Sequence, residues 1–504
     1  MLSNVYASCL VGIDAALVSV EAQVGRGLPG FDLVGLSDRS ARESRVRVKS
    51  ALLTHGFSFP PKHVVVNLAP GDLRKTGAAF DLAIALAVLA ACEAVPHDVL
   101  PKTLFVGELS LTGALRPVPG VLAMLRRARA EGLVRAIVPS TCAREAALAT
   151  GLDVRIADGL DDVVRHLHGE ALEVPKHVPL EVASSREDLA DVRGQSSARR
   201  ALEIAAAGSH PLLFVGPPGS GKTMLARRLR AILPTPTPDE ALDIATIASA
   251  AGLPAFGARP FRAPHHTASA QAIVGGGEPV RPGELTLAHG GVLFLDELTE
   301  FRRDVIESLR VTMEQGIAVV ARAHGRTTMP ARAHVVAAMN PCPCGYAGDA
   351  SRACTCPEDR IARYVGKVSG PVLDRFDLHV VVPRVDPRSL RASEPGESSA
   401  VVAARVEIAR ARLCAMPKYA PTELARRLPS QATKMLDRAV DRLGLSARGH
   451  GKVLQVARTI AALDARETID AGDIAEALCL RALDRRAGSE PARSGEKEMS
   501  PQSS

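Results

Sequence analysis

The chain contains no tryptophan, and aromatic residues fill only 3% of its 504 positions. Its cores must therefore be built from Ala, Val, Leu and Ile. Long apolar runs are missing as well. A membrane-spanning helix needs roughly 18 or more apolar residues, and the longest candidate, Leu82 to Ala91, reaches about half of that and is flanked by acids. Met1-Leu2-Ser3-Asn4 lacks the basic stretch and apolar run of a secretory signal. These absences point to a cytoplasmic protein with no membrane partner, whose thiols stay reduced. An acidic excess is missing too: the net charge is +7. A mild positive balance suits a nucleic-acid partner, although an Arg-rich, Ala-rich composition can follow from genomic base composition alone.

Apolar residues are plentiful, at 46%, and the length allows roughly two to four domains. Residues 1–169 mix strand-like alternation (Val11 to Val24, His63 to Leu68, Leu104 to Leu111) with apolar helical patterns (Phe80 to Ala91, Val121 to Ala130). Residues 170–187, with Pro175 and Pro179 and no periodicity, read as a linker. Residues 188–393 alternate short apolar runs with helices, the pattern of a parallel α/β sheet. Glu394-Pro395-Gly396-Glu397-Ser398-Ser399 opens a helical part, 394–487, and the polar residues 488–504 read as a disordered tail.

The most informative segment begins at Leu212-Leu213-Phe214-Val215, a run fit for a buried strand. It leads into Gly216-Pro217-Pro218-Gly219-Ser220-Gly221-Lys222-Thr223, a complete G-x-x-x-x-G-K-T, and then into a helical pattern from Met224 to Ile232. Phosphate binding requires this order. Glycines let backbone N–H groups curl round the phosphates, and the helix N-terminus adds its positive end. Lys222 is placed to reach the β- and γ-phosphates of ATP, and Thr223 to offer its hydroxyl to Mg²⁺. A second run, Gly291 to Leu295, ends in Asp296-Glu297. Asp296 suits Mg²⁺ and Glu297 suits the attacking water; two solvated acids capping a strand are the bland alternative. A third run, His334 to Met339, ends in Asn340, whose amide can sense the γ-phosphate. On its own such an Asn is usually turn chemistry.

These residues resemble the AAA+ ATPases, and more narrowly their magnesium-chelatase branch. The resemblance is carried by Asp191-Val192-Arg193-Gly194-Gln195, Phe261-Arg262-Ala263-Pro264-His265-His266-Thr267, Pro282-Gly283-Glu284-Leu285, Ala288-His289-Gly290-Gly291 and Leu373-Asp374-Arg375-Phe376-Asp377-Leu378. It extends from Met1 to about Ala487 and is strongest with the bacterial YifB/ComM family. That family implies a homo-oligomer, a hexamer, in which Arg375 reaches the neighbour's ATP as an arginine finger. It implies that the helical part is a lid, with Arg448 as second sensor and Arg458 as the fallback. It also implies a hairpin inside the long interval from Lys222 to Asp296, with Gly275-Gly276-Gly277 at its tip and Arg259, Arg262 and Arg281 beside it for contact with a threaded strand. His265 and His266, adjacent in sequence, are not expected to share a metal.

Cys342-Pro343-Cys344 and Cys354-Thr355-Cys356 bring four of the nine cysteines into one stretch rich in Pro and Gly. Two such pairs can complete a tetrahedral Zn²⁺ shell; free thiols and an iron–sulfur cluster are the alternatives. In residues 1–169, Arg74 to Asp81 and Gly107 to Gly120 resemble the proteolytic domain of Lon, of the ribosomal S5 domain 2 type. The serine and lysine such a protease needs fall on Ala79 and Leu122, so the dyad is lost. Arg45, Arg47 and Lys49 are candidate DNA contacts there, with a solvated face as the alternative. The resemblance implies a branch-migration helicase on single-stranded or branched DNA, working with recombination proteins in natural transformation. A chelatase subunit inserting Mg²⁺ into a porphyrin is the alternative, and an ATP-dependent protease a weaker one.

Overall fold

The computed structural model describes residues 2–75, 77–176, 187–254, 258–322, 325–385, 396–417 and 419–484. Most of the expected linker, part of the boundary after residue 385 and the expected tail lie outside them. Among the described residues no helix is long and apolar enough to cross a membrane.

The N-terminal part is built on a seven-stranded mixed sheet in the order Gly30–Val34, His63–Ala69, Asp14–Val24, Leu2–Val11, Thr103–Phe105, Arg135–Pro139, Asp153–Ala157. The run expected from Val11 to Val24 is in fact the second arm of a hairpin: Gly12, at φ 69°, turns the chain, and Val11 pairs with Asp14. The run Leu104 to Leu111 is divided between two sheets. Helix Asp81–Ala91 is apolar on every side and every residue of it is buried. It packs on the first two strands and on helix Asp38–Thr54. Its first residue, Asp81, is buried at the helix N-terminus and needs a counter-charge. Arg47 supplies it, Nε donating to Asp81 Oδ2 at 2.6 Å. Arg47 is therefore a brace and not the DNA contact considered above. Glu173 still bridges to Ile156, so the expected linker begins within this part.

The second sheet has five parallel strands in the order Phe261–Arg262, Val292–Leu295, His334–Met339, Leu212–Val215, Leu378–Val381. Leu212–Val215 and Val292–Leu295 are buried along their whole length, as strands covered on both faces must be. Helices Ser399–Ala415, Ser430–Leu443, Ala447–Leu463 and Ala471–Cys479 share one apolar core with this sheet, a cluster running from Leu189 to Leu480. The chain then returns to the sheet, where Arg481 bridges to His379.

The two parts meet where helix Val121–Ala130 lies on helix Pro238–Ala250. The Gly120 amide donates to Ser249 O at 2.9 Å, and the Leu122 amide to Ser249 Oγ at 3.3 Å. Leu122 is wholly buried, and Ala79 nearly so.

Candidate active site

In a parallel sheet all strands end on one side, so loops far apart in sequence converge there. Three of these ends carry Gly216, Asp296 and Asn340. The loop after Leu212–Val215 needs glycine for conformational reasons: Gly219 and Gly221 have φ of 76° and 90°. A Cβ at Gly216 would stand 2.2 Å from Val382 O. The following helix begins at Lys222 itself, two residues before the expected start.

The structure brings Lys222, Thr223, Asp296, Glu297 and Asn340 together. Lys222 Nζ donates to Gly216 O at 2.7 Å, to Pro217 O at 2.9 Å and to Asn340 Oδ1 at 3.3 Å. Burial lowers its pKa, and the charges of Asp296 and Glu297 partly offset this. Thr223 Oγ1 donates to Asp296 Oδ2 at 2.9 Å. A hydroxyl and a carboxylate this close are hard oxygen donors that fit Mg²⁺, which takes few protein ligands and keeps the rest as water and phosphate. Bound there, Mg²⁺ would neutralise charge on the β- and γ-phosphates. Glu297 has a left-handed backbone, φ 53°, and its amide donates to Asp296 Oδ1 at 3.0 Å. A non-glycine residue in that region is held by its surroundings, here at a strand end beside the phosphate loop.

Beside the loop a cavity of ≈ 380 Å³ is lined by Asp191, Val192, Gln195, Met224 and Arg384, among others. Its size suits an adenosine moiety. Gln195 closes it, Nε2 donating to Pro383 O at 2.6 Å. Arg375 and Arg448 do not line this cavity. Arg375 lies in a separate groove with Arg259, Arg332, Arg410 and Lys452, and donates to Glu314 at 2.5 Å. Its Nε has no partner among the described residues. Arg448 is exposed on the first turn of helix Ala447–Leu463. Arg458 donates to Pro417 O at 2.7 Å and lies 5.9 Å from the Tyr419 ring, both within the helical part.

A hairpin is present in the interval before Asp296, but Gly275–Gly276 form its first arm, paired to Arg281–Pro282, and of the three glycines only Gly277 lies in the turn. Its arginines differ from expectation. Arg259 is nearly buried and bonded to Pro234 O, Gly290 O and Glu240. Arg262 forms a two-bond pair with Glu284, at 2.6 and 2.7 Å. Neither is available to a strand, and only Arg281 of the three is exposed. Replacing Arg259 by Ala should cost about 1–3 kcal/mol by leaving Glu240 and two carbonyls without their charged donor. Urea unfolding measures this, and an unchanged midpoint would remove the brace.

Sequence reading missed three features. A second hairpin, Ile317–Arg322 with Gly325–Pro330, follows the Asp296 strand; its signal was the apolar run at Ile317 to Ala321 closed by a glycine. His266, weighed only as a metal ligand, has Nδ1 3.2 Å from Glu297 Oε2. Arg384 donates to Pro218 O at 3.3 Å.

The four cysteines do converge. The sulfurs of Cys342, Cys344, Cys354 and Cys356 lie within 4.8 Å of one another, a group able to bind a metal.

The comparisons with known proteins agree with this geometry. The profile of the family described as "Magnesium chelatase, subunit ChlI" matches residues 188–390. "Subunit ChlI of Mg-chelatase" matches 20–142, and "Magnesium chelatase, subunit ChlI C-terminal" matches 396–481. The class is that of magnesium chelatase-like AAA+ ATPases, with ATP and Mg²⁺ as its implied ligands. The uncharacterized protein YifB of Escherichia coli K12 is 42% identical over 498 residues, 96% of this chain and 98% of the relative. The competence protein ComM of Haemophilus influenzae is 42% identical over 501 residues, with the same coverage. An uncharacterized protein of Mycobacterium tuberculosis H37Rv is 40% identical over 500 residues. The chain belongs to the YifB/ComM family of magnesium chelatase-like AAA+ ATPases.

Proposed function

We propose that the chain is an ATP-driven DNA-remodelling motor, a hexameric helicase that promotes branch migration during recombination of incoming DNA. The observation that carries the ATPase step is the convergence of Lys222, Thr223, Asp296, Glu297 and Asn340 beyond the C-terminal ends of three neighbouring strands of the parallel sheet. Lys222 binds the phosphates, Thr223 and Asp296 hold Mg²⁺, and Asn340 orients the terminal phosphate. Glu297 accepts a proton from the attacking water. Arg375 completes the site of the neighbouring subunit and Arg448 serves as second sensor. The helical part works as a lid over the nucleotide, and the four cysteines take Zn²⁺.

The DNA reading is supported by the relative named a competence protein, by the net charge of +7 and by the exposed Arg281 on the hairpin. In this reading residues 1–169 keep a Lon-like fold for substrate contact. Ala79 and Leu122 stand where the dyad would be, so no peptide-bond hydrolysis is expected. ATP turnover with and without forked DNA tests the motor; an assembled ring whose turnover ignores DNA would sink it. Replacing Arg281 by Ala should weaken DNA binding across all sequences. It should flatten the slope of log affinity against log salt by about 1, with the melting curve unchanged. An unaltered slope would remove Arg281 from the DNA path.

The family descriptions favour one second reading, an ATPase subunit for Mg²⁺ insertion into a porphyrin. Stimulation of turnover by partner chelatase subunits and porphyrin, and not by DNA, would select it.

A further inference from the structure

Residues 340–357 join strand His334–Met339 to helix Glu358–Val365 without any regular element. A connection this long has few ways to hold one shape without a core or a staple. Here only Pro341, Cys342 and Gly345 are buried, which leaves little core to hold the loop. The staple is visible in the sulfur positions. Cys342 Sγ is 3.3 Å from Cys344 Sγ and 3.6 Å from Cys354 Sγ, and the latter two are 3.5 Å apart. With Zn–S bonds of about 2.3 Å, the edges of a tetrahedron of sulfurs are about 3.8 Å. Three of the four sulfurs therefore sit close to the spacing of a Zn²⁺ shell, and Cys356 Sγ lies within 4.8 Å of each of them. Backbone amides already point at two of them: Ala347 N lies 3.3 Å from Cys342 Sγ, and Cys356 N lies 3.4 Å from Cys354 Sγ. Such donors stabilise thiolates and orient them toward a metal.

The same loop is seated on the nucleotide site. Gly345, at φ 86°, turns directly over the phosphate loop, and a Cβ there would stand 2.6 Å from Pro218 Cδ. Arg384 ties the two together. It donates to Pro218 O, pairs with Asp349 at 3.5 Å and lies 5.5 Å from the Tyr346 ring. Upstream of Cys342, Asn340 accepts from Lys222. Downstream of Cys356, the helix carries Arg360 and Arg363 into a groove shared with Glu297 and Asn340.

We propose that Cys342, Cys344, Cys354 and Cys356 enclose one Zn²⁺ whose task is to brace the nucleotide site, so that ATP affinity depends on zinc. The four thiols give up their protons on binding and the metal keeps its charge state, so no oxidant or reductant is involved. Zinc fixes the turn at Gly345 against Pro218 and sets the strand-end register of Asn340. Without it the loop loses its staple, and the phosphate loop loses the wall behind Pro218. The bracing role rests on the ATP-binding reading above; the metal site does not.

The test measures zinc by mass spectrometry and nucleotide affinity by a fluorescent ATP analogue. Wild type should carry one zinc per chain. Cys342→Ser with Cys354→Ser should lose it and bind ATP at least about tenfold more weakly, about what the loss of one hydrogen bond to a charged phosphate costs. Gly345→Ala separates the two claims: zinc should stay while ATP affinity falls. Should the double variant not fold, stripping folded wild type with a zinc-selective chelator reads the same change. Wild type without zinc overturns the metal site. Zinc-free protein that binds ATP as tightly as before overturns the brace. Wild type that holds zinc but binds no ATP overturns the motor reading and leaves the metal site standing.

Discussion

Glu297→Gln is expected to bind ATP about as tightly as wild type and to hydrolyse it roughly 10²- to 10⁴-fold more slowly, the usual contribution of a positioned proton acceptor. The amide keeps the size of the carboxylate and tolerates the same left-handed backbone, since that conformation is set by the turn at the strand end. It cannot take a proton from water. Lys222, Thr223 and Asp296, to which the proposed mechanism gives the phosphates and Mg²⁺, keep their own bonds. Phosphate release under single-turnover conditions, beside the affinity of the ATP analogue, separates the two effects. Glu300→Gln is the control. Glu300 pairs with Lys367 at the surface, at 3.3 Å, and its loss should change turnover little. A Glu297→Gln protein that still turns over at near wild-type rate would assign the proton acceptor elsewhere.

The second large effect is expected at Asp377, which no catalytic role explains. Its carboxylate is nearly buried just before strand Leu378–Val381, with His210 Nδ1 2.8 Å away and Lys452 in contact. His210 Nε2 lies 2.9 Å from Thr459 Oγ1. Lys452 and Thr459 belong to helix Ala447–Leu463, so this cluster ties the helical part to the sheet. Burial by itself would raise the Asp377 pKa. The hydrogen bond and charge of His210, with the charge of Lys452, reverse that and bring it from an ordinary 3.8 down to about 2. Asp377→Asn leaves Lys452 buried without its counter-charge and should cost about 3–5 kcal/mol of stability. The pH dependence follows from the direction of the shift. A carboxylate whose pKa is lower in the folded than in the unfolded chain stabilises above the unfolded value. That stabilisation drains away as pH falls from about 4 toward about 2 and should be missing from the Asn variant. Urea unfolding of both proteins across this window checks it. Parallel acid profiles would mean that the cluster contributes nothing to linkage.

The nucleotide site was legible because its signal is local. A buried strand, a glycine loop and a helix follow one another within about twenty residues, and each step has one chemical purpose. Asp296 and Asn340 were legible for a related reason: apolar runs ending in a single polar residue mark strand ends, and parallel strands end together. The arginines were not legible. Arg259, Arg262 and Arg281 look alike in sequence, yet two are spent on Glu240 and Glu284 and one is exposed. Arg47 likewise serves Asp81 across a gap in sequence that no periodicity reports.

The sequence by itself determined the family, the order strand, phosphate loop, helix, and which residues can meet phosphate, metal and water. Those follow from short-range pattern, glycine conformation and the chemistry of each side chain. Tertiary structure alone decided which charges are already paired, that His266 faces Glu297, that Asp377 clamps helix to sheet, and that the four-cysteine loop rests on Pro218. A partner chosen across a hundred residues depends on where two backbones come within a few ångströms. That distance is set by the packing of the whole core and leaves no mark on the residues in between.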